Sequence, residues 1–179
     1  LSIWFNSTAT FTGAKALISQ ADSGPTQMAR LTAVDNPSGD MRVRGFVASD
    51  PTSENVRSTS DLAFNNSKNH QILMTFVAGD LNVFIDGAEV VYQSGENSKI
   101  GAGGDFSSMG TFGSLCSIGD FSYTSGAFDG RLFRFKAWDG TILTPAEVLE
   151  EYNNELALLV NPLNGGGLWM PEGYLRIGR

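Results

Sequence analysis

The chain has few of the residue types on which most sequence-legible chemistry rests. It contains one cysteine, Cys116, and one histidine, His70. A lone cysteine excludes an internal disulfide framework, and one residue of each kind cannot close a zinc site without carboxylates. Lys and Arg number 12 against 19 Asp and Glu, a net charge of −7. A general nucleic-acid grip, which needs clustered cations, is therefore excluded. Arg42, Arg44 and Arg57 form no long run, and Arg42 and Arg44 read as the solvated face of a strand. The acidic balance favours solubility. No segment reaches the roughly 18–20 apolar residues of a membrane span, and no charged-then-apolar leader is legible. The chain opens at Leu1 rather than Met, within a strand pattern, and so reads as a processed protein or a fragment lacking its beginning.

What the chain does have is turns and short apolar runs. With 21 Gly, 41% hydrophobic and 17% charged residues, the composition suits many short strands joined by turns. A length of 179 residues suffices for one domain with its own core.

The most informative stretch is Phe128–Asn153. In it Phe133, Phe135 and Ala137 alternate with Arg134 and Lys136, the period of a half-buried strand. Asp139-Gly140 marks a turn. Thr144, Pro145 and Glu147 then fit the cap, first-turn and capping-box positions of a helix, with Leu143 and Val148 as its hydrophobic staple. The pattern predicts a helix over about 145–153 with Val148, Leu149 and Tyr152 on its apolar side, laid across a sheet edge.

Elsewhere strands are predicted at Leu1–Asn6, Ala16–Gln20, Met28–Val34, Met41–Val47 and Leu115–Gly119. His70–Val77, Leu81–Ile85 and Ala88–Gln93, separated by Gly79-Asp80 and Asp86-Gly87, read as a three-strand meander. The polar Asp50–Asp61 and the Gly/Ser-rich Ser94–Gly113 read as loops, and Leu156–Val160 as one more strand. About ten strands, one helix and no βαβ alternation predict an all-β, two-sheet antiparallel jelly-roll sandwich over 1–160. Residues 161–179 form an extended C-terminal arm in which Leu168, Trp169 and Met170 are an apolar anchor.

The order of these pieces resembles the laminin-G-like, concanavalin A-like jelly-roll family. The residues that carry the likeness are Leu1–Phe5, His70–Phe76, Leu81–Gly87 with its Ile-Asp-Gly turn, Ser117–Gly119, and Phe128-Asp129-Gly130 through Tyr152. Together they span roughly 1–155. Asn69 departs from the Trp that the family often has there, and the strand expected before Leu1 is absent. The tail, with Asn161-Pro162 and then Leu168–Pro171, loosely resembles the ends of bacteriophage virion proteins that carry such a sandwich, with Leu163 departing from an aromatic at that place.

Some members of the fold hydrolyse β-glucans with a strand-borne Glu-x-Asp-x-x-Glu. None of the eight glutamates here begins that motif, and Glu147, Glu150, Glu151 and Glu155 fall on the helix, where a solvated face is expected. Glycoside hydrolysis needs a carboxylate pair at fixed separation, so no catalytic residue is assigned. Cys116, within an apolar strand, reads as a buried inert thiol, and His70 as a hydrogen-bonded structural residue. Gly101–Gly104 lacks the Lys and Ser/Thr of a phosphate loop.

The resemblance implies a calcium at the sandwich rim, with Asp22 in the ligand-like loop position and Asp105 and Asp120 as further rim candidates. Calcium takes hard oxygen ligands of this kind, although Asp also stabilises turns by itself. For a glycan, Trp4, Tyr123 and Trp138 are the candidate aromatic platforms. Trp4 and Trp138 lie on the polar phase of their strands, where packing against the second sheet or a neighbouring subunit is an equal alternative. Asn6 and Asn65 match the N-glycosylation pattern.

Two functional readings follow. The first is a non-enzymatic structural and adhesion module on a virion surface or outside the cell. It would dock to other virion or scaffold subunits or to copies of itself and touch host glycans. The second is a free lectin-like carbohydrate-binding domain, calcium-dependent through the Asp22 rim. Neither involves nucleic acid or membrane.

Overall fold

The Ile-Asp-Gly turn shows how local chemistry sets this fold. Asp86 and Gly87 both adopt left-handed backbone angles, with φ of 52° and 81°. Glycine takes that conformation without strain, and aspartate takes it more readily than most residues. The Asp86 carboxylate accepts the Gln71 backbone N–H at 2.9 Å while the Asp86 N–H donates to the Gln71 carbonyl at 3.0 Å. The turn is thereby tied to the neighbouring strand.

The computed structural model describes residues 1–9, 13–21, 28–35, 41–50, 53–59, 64–77, 80–99, 115–119, 127–138 and 140–160. They form β1 (Ser2–Asn6), β2 (Ala14–Ala21), β3 (Met28–Asp35), β4 (Met41–Asp50), β5 (Ser53–Thr59), β6 (His70–Val77), β7 (Asp80–Ile85), β8 (Ala88–Glu89), β9 (Tyr92–Lys99), β10 (Leu115–Ile118), β11 (Arg131–Lys136) and α1 (Pro145–Val160). Two antiparallel sheets result. One has the order β11-β1-β6-β7-β8 and the other β10-β2-β3-β4-β5-β9. The two-sheet antiparallel sandwich with a C-terminal helix expected from the sequence is the observed fold.

The core lies between the sheets. Ile3, Phe5, Ile72, Met74, Val83 and Ile85 face it from one side, and Leu31, Ala33, Val43 and Val47 from the other. Alternation along each strand places these side chains on one face. Gly45 marks a close approach of the sheets, since a Cβ there would lie 2.6 Å from Val83 Cγ2 and 3.2 Å from Met74 Sδ.

Several elements differ from the sequence expectation. The polar stretch 50–61 carries β5, which pairs with β4 and β9, and 94–99 is strand rather than loop. The third meander strand stops at Glu89, and from Tyr92 the chain joins the opposite sheet. Leu156–Val160 continues α1 instead of forming a strand. A short run of apolar residues satisfies either period, and here an unbroken helix wins. The helix packs on the outer face of the five-stranded sheet, not across its edge, with Val148 buried against Leu73 and Phe84. Its start is as expected: Thr144 N–H and Oγ1 donate to Glu147 Oε2 at 2.7 and 2.8 Å.

In β11 the register shifts between Ser2 and Trp4 of the partner strand, and Arg134 takes φ of 50°. This bulge breaks the alternation, so Phe133 stacks on the helix side while Phe135 is 39% exposed. A bulge of this kind re-aims side chains, and the single face predicted for Phe133, Phe135 and Ala137 does not form.

Gly45→Val is expected to destabilise the fold by about 1–3 kcal/mol through overpacking between the sheets, measured as a lower urea midpoint. An unchanged midpoint would show that Val83 and Met74 yield freely.

Candidate functional site

Trp4 does not present a platform. It is fully buried, stacked between Phe133 at 6.1 Å and Tyr152 at 5.6 Å centroid separation. Its outward phase on β1 was read correctly, but α1 covers that phase. The indole N–H donates to Glu155 Oε2 at 2.6 Å. Glu155, expected on a solvated helix face, is only 3% exposed. Lys136 Nζ approaches its other oxygen at 2.8 Å and also bonds Glu151, and Arg134 stands 3.8 Å away. Burial of the Lys136 ammonium works against its charge, yet the hydrogen bonds and charges of Glu151 and Glu155 prevail and hold its pKa above the ordinary value. Beside this cluster, the carboxamide of buried Gln71 has no hydrogen-bond partner on either atom.

His70 is structural, as expected. Nδ1 lies 2.7 Å from Asp86 Oδ2 and Nε2 lies 3.0 Å from Asn66 Oδ1. The Asn66 oxygen also accepts the Lys68 backbone N–H, which fixes its orientation. The ring sits against Phe5 and Phe64. With both nitrogens engaged, His70 clamps the Asp86-Gly87 turn and has no nitrogen left to serve as a base. Cys116 belongs to β10 at an edge of the other sheet, opposite Gln20.

Trp138 lines a groove. A cavity of about 270 Å³ opens at the end of the five-stranded sheet, beside the start of α1, among Leu73, Thr75, Trp138, Thr141, Ile142 and Leu143. Trp138 is partly buried, packed on the cluster of Leu73, Phe84 and Val148. Thr75 falls on the outward phase of β6 with Leu73. At the same end Leu1 extends the ladder, with its N–H to the Met74 carbonyl at 2.9 Å. An aromatic side chain, two threonine hydroxyls and an apolar floor are the ingredients of a small-ligand site with orienting polar groups.

Tyr123, the proposed calcium ligands Asp22, Asp105 and Asp120, and the arm residues Leu168, Trp169 and Met170 lie outside the described residues. Among the described residues no three His, Cys, Asp or Glu side chains group as a metal site.

The sequence reading missed one surface. Arg42 and Arg44 do share a strand phase, but Arg42 is 8% exposed, not solvated. Arg30, two strand positions from Thr32, joins them from β3 and lies over the Phe46 ring at 4.4 Å. The spacing Arg30-x-Thr32 and Arg42-x-Arg44-x-Phe46 was a usable signal, since alternate positions on paired strands fall on one face.

No protein-family model matches the chain, and no curated protein matches it in sequence. Solved structures with a similar fold include the CBM40 domain of the Ruminococcus gnavus IT-sialidase bound to alpha2,3 sialyllactose, at 11% identity and a TM-score of 0.57, covering 84% of this chain and 80% of that one. Domains LG4-5 of the mouse laminin alpha1 chain align at 14% identity and a TM-score of 0.48, covering 73% of this chain and 33% of that one. The first likeness, with the sheet topology above, defines the fold as a two-sheet antiparallel jelly-roll β-sandwich.

Two outcomes test the buried cluster. Glu155→Ala orphans the Trp4 N–H and leaves Lys136 with Glu151 as its remaining carboxylate partner, and is expected to cost about 2–4 kcal/mol in urea unfolding, with Glu155→Gln losing less. Stability should also fall above about pH 10. Tyr152 is raised by burial and by the Asp86 charge, and Lys136 is raised as well. Both folded-state pKa values lie above the unfolded ones, so their contributions are full below the unfolded values and vanish as pH rises through the folded ones. Urea midpoints that stay constant through the alkaline range would contradict this coupling.

Proposed function

We propose that this chain is a non-catalytic binding and adhesion module whose ligand is a glycan held in the Trp138 groove. The observation that carries this reading is the groove itself. Its volume suits one or two sugar rings, its aromatic wall can cover the apolar face of a pyranose, and Thr75 and Thr141 can meet ring hydroxyls. The similar fold solved with sialyllactose supports a glycan as the class of ligand. A non-catalytic role is supported by His70, whose ring nitrogens are both committed to Asp86 and Asn66.

The adhesion half draws on a separate feature. Ile142 ahead of α1, and Leu149 and Leu158 on the two flanks of α1, are 52%, 49% and 40% exposed, apolar side chains open to contact with another protein. The narrower form of the reading places the module outside the cell or on a virion surface, docked to its own copies or to other subunits through 161–179. No helix among the described residues is long and apolar enough to cross a membrane.

A glycan array followed by calorimetry tests the groove. Binding of at least one oligosaccharide is expected, weakened about tenfold or more by Trp138→Ala, which corresponds to at least ~1.4 kcal/mol. A blank array, or equal binding by the variant, would end the assignment.

A further inference from the structure

We infer that the outer face of the six-stranded sheet, around Arg42, is an anion-binding site that takes a carboxylate or sulfate group. That the anion is carried on a saccharide rests on the glycan reading above; the site itself rests on its own geometry.

Val43 and Val47 of β4 point into the core, so Arg42, Arg44 and Phe46 point out. In the register Val34 lies opposite Arg42, Thr32 opposite Arg44, Arg30 opposite Phe46, and Ser19 of β2 opposite Arg30. Three guanidinium groups thus share one patch with two hydroxyl side chains, in a protein that carries 12 cationic residues and a net charge of −7. The Arg30 guanidinium carbon lies 4.4 Å from the centroid of the Phe46 ring, within cation–π range. Thr32 Oγ1 donates to the Arg44 carbonyl at 3.4 Å.

Arg42 is the second and independent sign. It is more than nine-tenths buried, and its Nε–H has no hydrogen-bond acceptor. A buried N–H donor without an acceptor is unfavourable, and an incoming oxyanion that reaches the Nε–H relieves it. The arginine fork matches planar carboxylate and tetrahedral sulfate alike. The net charge of −7 disfavours an extended polyanion more than a single anionic group.

The test follows the arginine Nε–H resonances of the intact chain by NMR. The probes are galacturonic acid, a glucose sulfate ester and neutral galactose. The expected result is a saturable shift of the Arg42 Nε–H with one or both acids and none with galactose. The preferred acid identifies the carrier group. Arg44→Gln, at a half-buried position, should weaken that binding about tenfold without unfolding the protein. Absence of a saturable shift with either acid overturns the site, as does undiminished binding by a folded Arg44→Gln variant. Acid binding that persists in Trp138→Ala upholds the arginine face even if the groove proves empty. Loss of acid binding in Trp138→Ala, with Arg44→Gln unaffected, assigns the anion to the groove and overturns the face.

Discussion

The carboxylate of Glu155, held between the Trp4 indole N–H and the Lys136 ammonium, is the contact on which the arrangement of this protein depends. It joins the first strand of the chain to its C-terminal helix across 151 positions. A carboxylate withdrawn from water is tolerable only when its oxygens are met by donors, and here each oxygen has one. The cluster therefore fixes where α1 lies more sharply than apolar packing alone, because sliding the helix by a turn would leave several polar groups unmet. Position of α1 in turn fixes the connection before it, and with it Trp138 and Thr141 over the end of β6.

The two outer faces of the sandwich consequently have different fates. On the five-stranded sheet the outward row of Trp4, Leu73 and Phe84 is roofed by Tyr152 and Val148. On the six-stranded sheet the outward row is arginine, threonine and serine. The apolar alternation of an ordinary half-exposed sheet would make both outer faces polar. The departure on the first sheet reflects its second partner, the helix. The departure on the second is a concentration of one charge sign, which core packing does not require.

How much of this was legible depended on the range of the interaction. The helix start was readable because Thr144, Glu147, Leu143 and Val148 act within five residues of one another. The turn at Asp86-Gly87 was readable because only a few residue types take its backbone angles. Features set by distant partners were not. The sequence SENVRST of β5 has no apolar alternation, and its strand state comes from pairing with β4 and β9. Glu155 looks like any helical glutamate until Lys136 and Trp4 are brought to it. Trp4 was recognised as pointing away from Ile3 and Phe5, but nothing local told that a helix would close over it. The bulge at Arg134 likewise has no signature, since arginine is not a residue that favours a left-handed angle. Of the candidate residues, Trp138 was legible as an aromatic side chain on the polar phase of its strand pattern, whereas the arginine face needed the register of β3 against β4 to become visible.

The placement of β1 also governs the order in which the molecule can assemble. That strand sits between β6 and β11, so its two partners lie about seventy and one hundred and thirty residues further along the chain. During synthesis its hydrophobic row of Ile3 and Phe5 has no neighbour until β6 has emerged, and its other edge stays open until nearly the whole domain is made. Within the six-stranded sheet, β2 to β5 follow one another directly and can pair much earlier, with β9 and β10 added later at its two edges. This topology implies a vectorial history: a locally paired half that forms first, and an N-terminal strand that waits as an exposed edge, sensitive to chaperones and to premature truncation, until its late partners arrive.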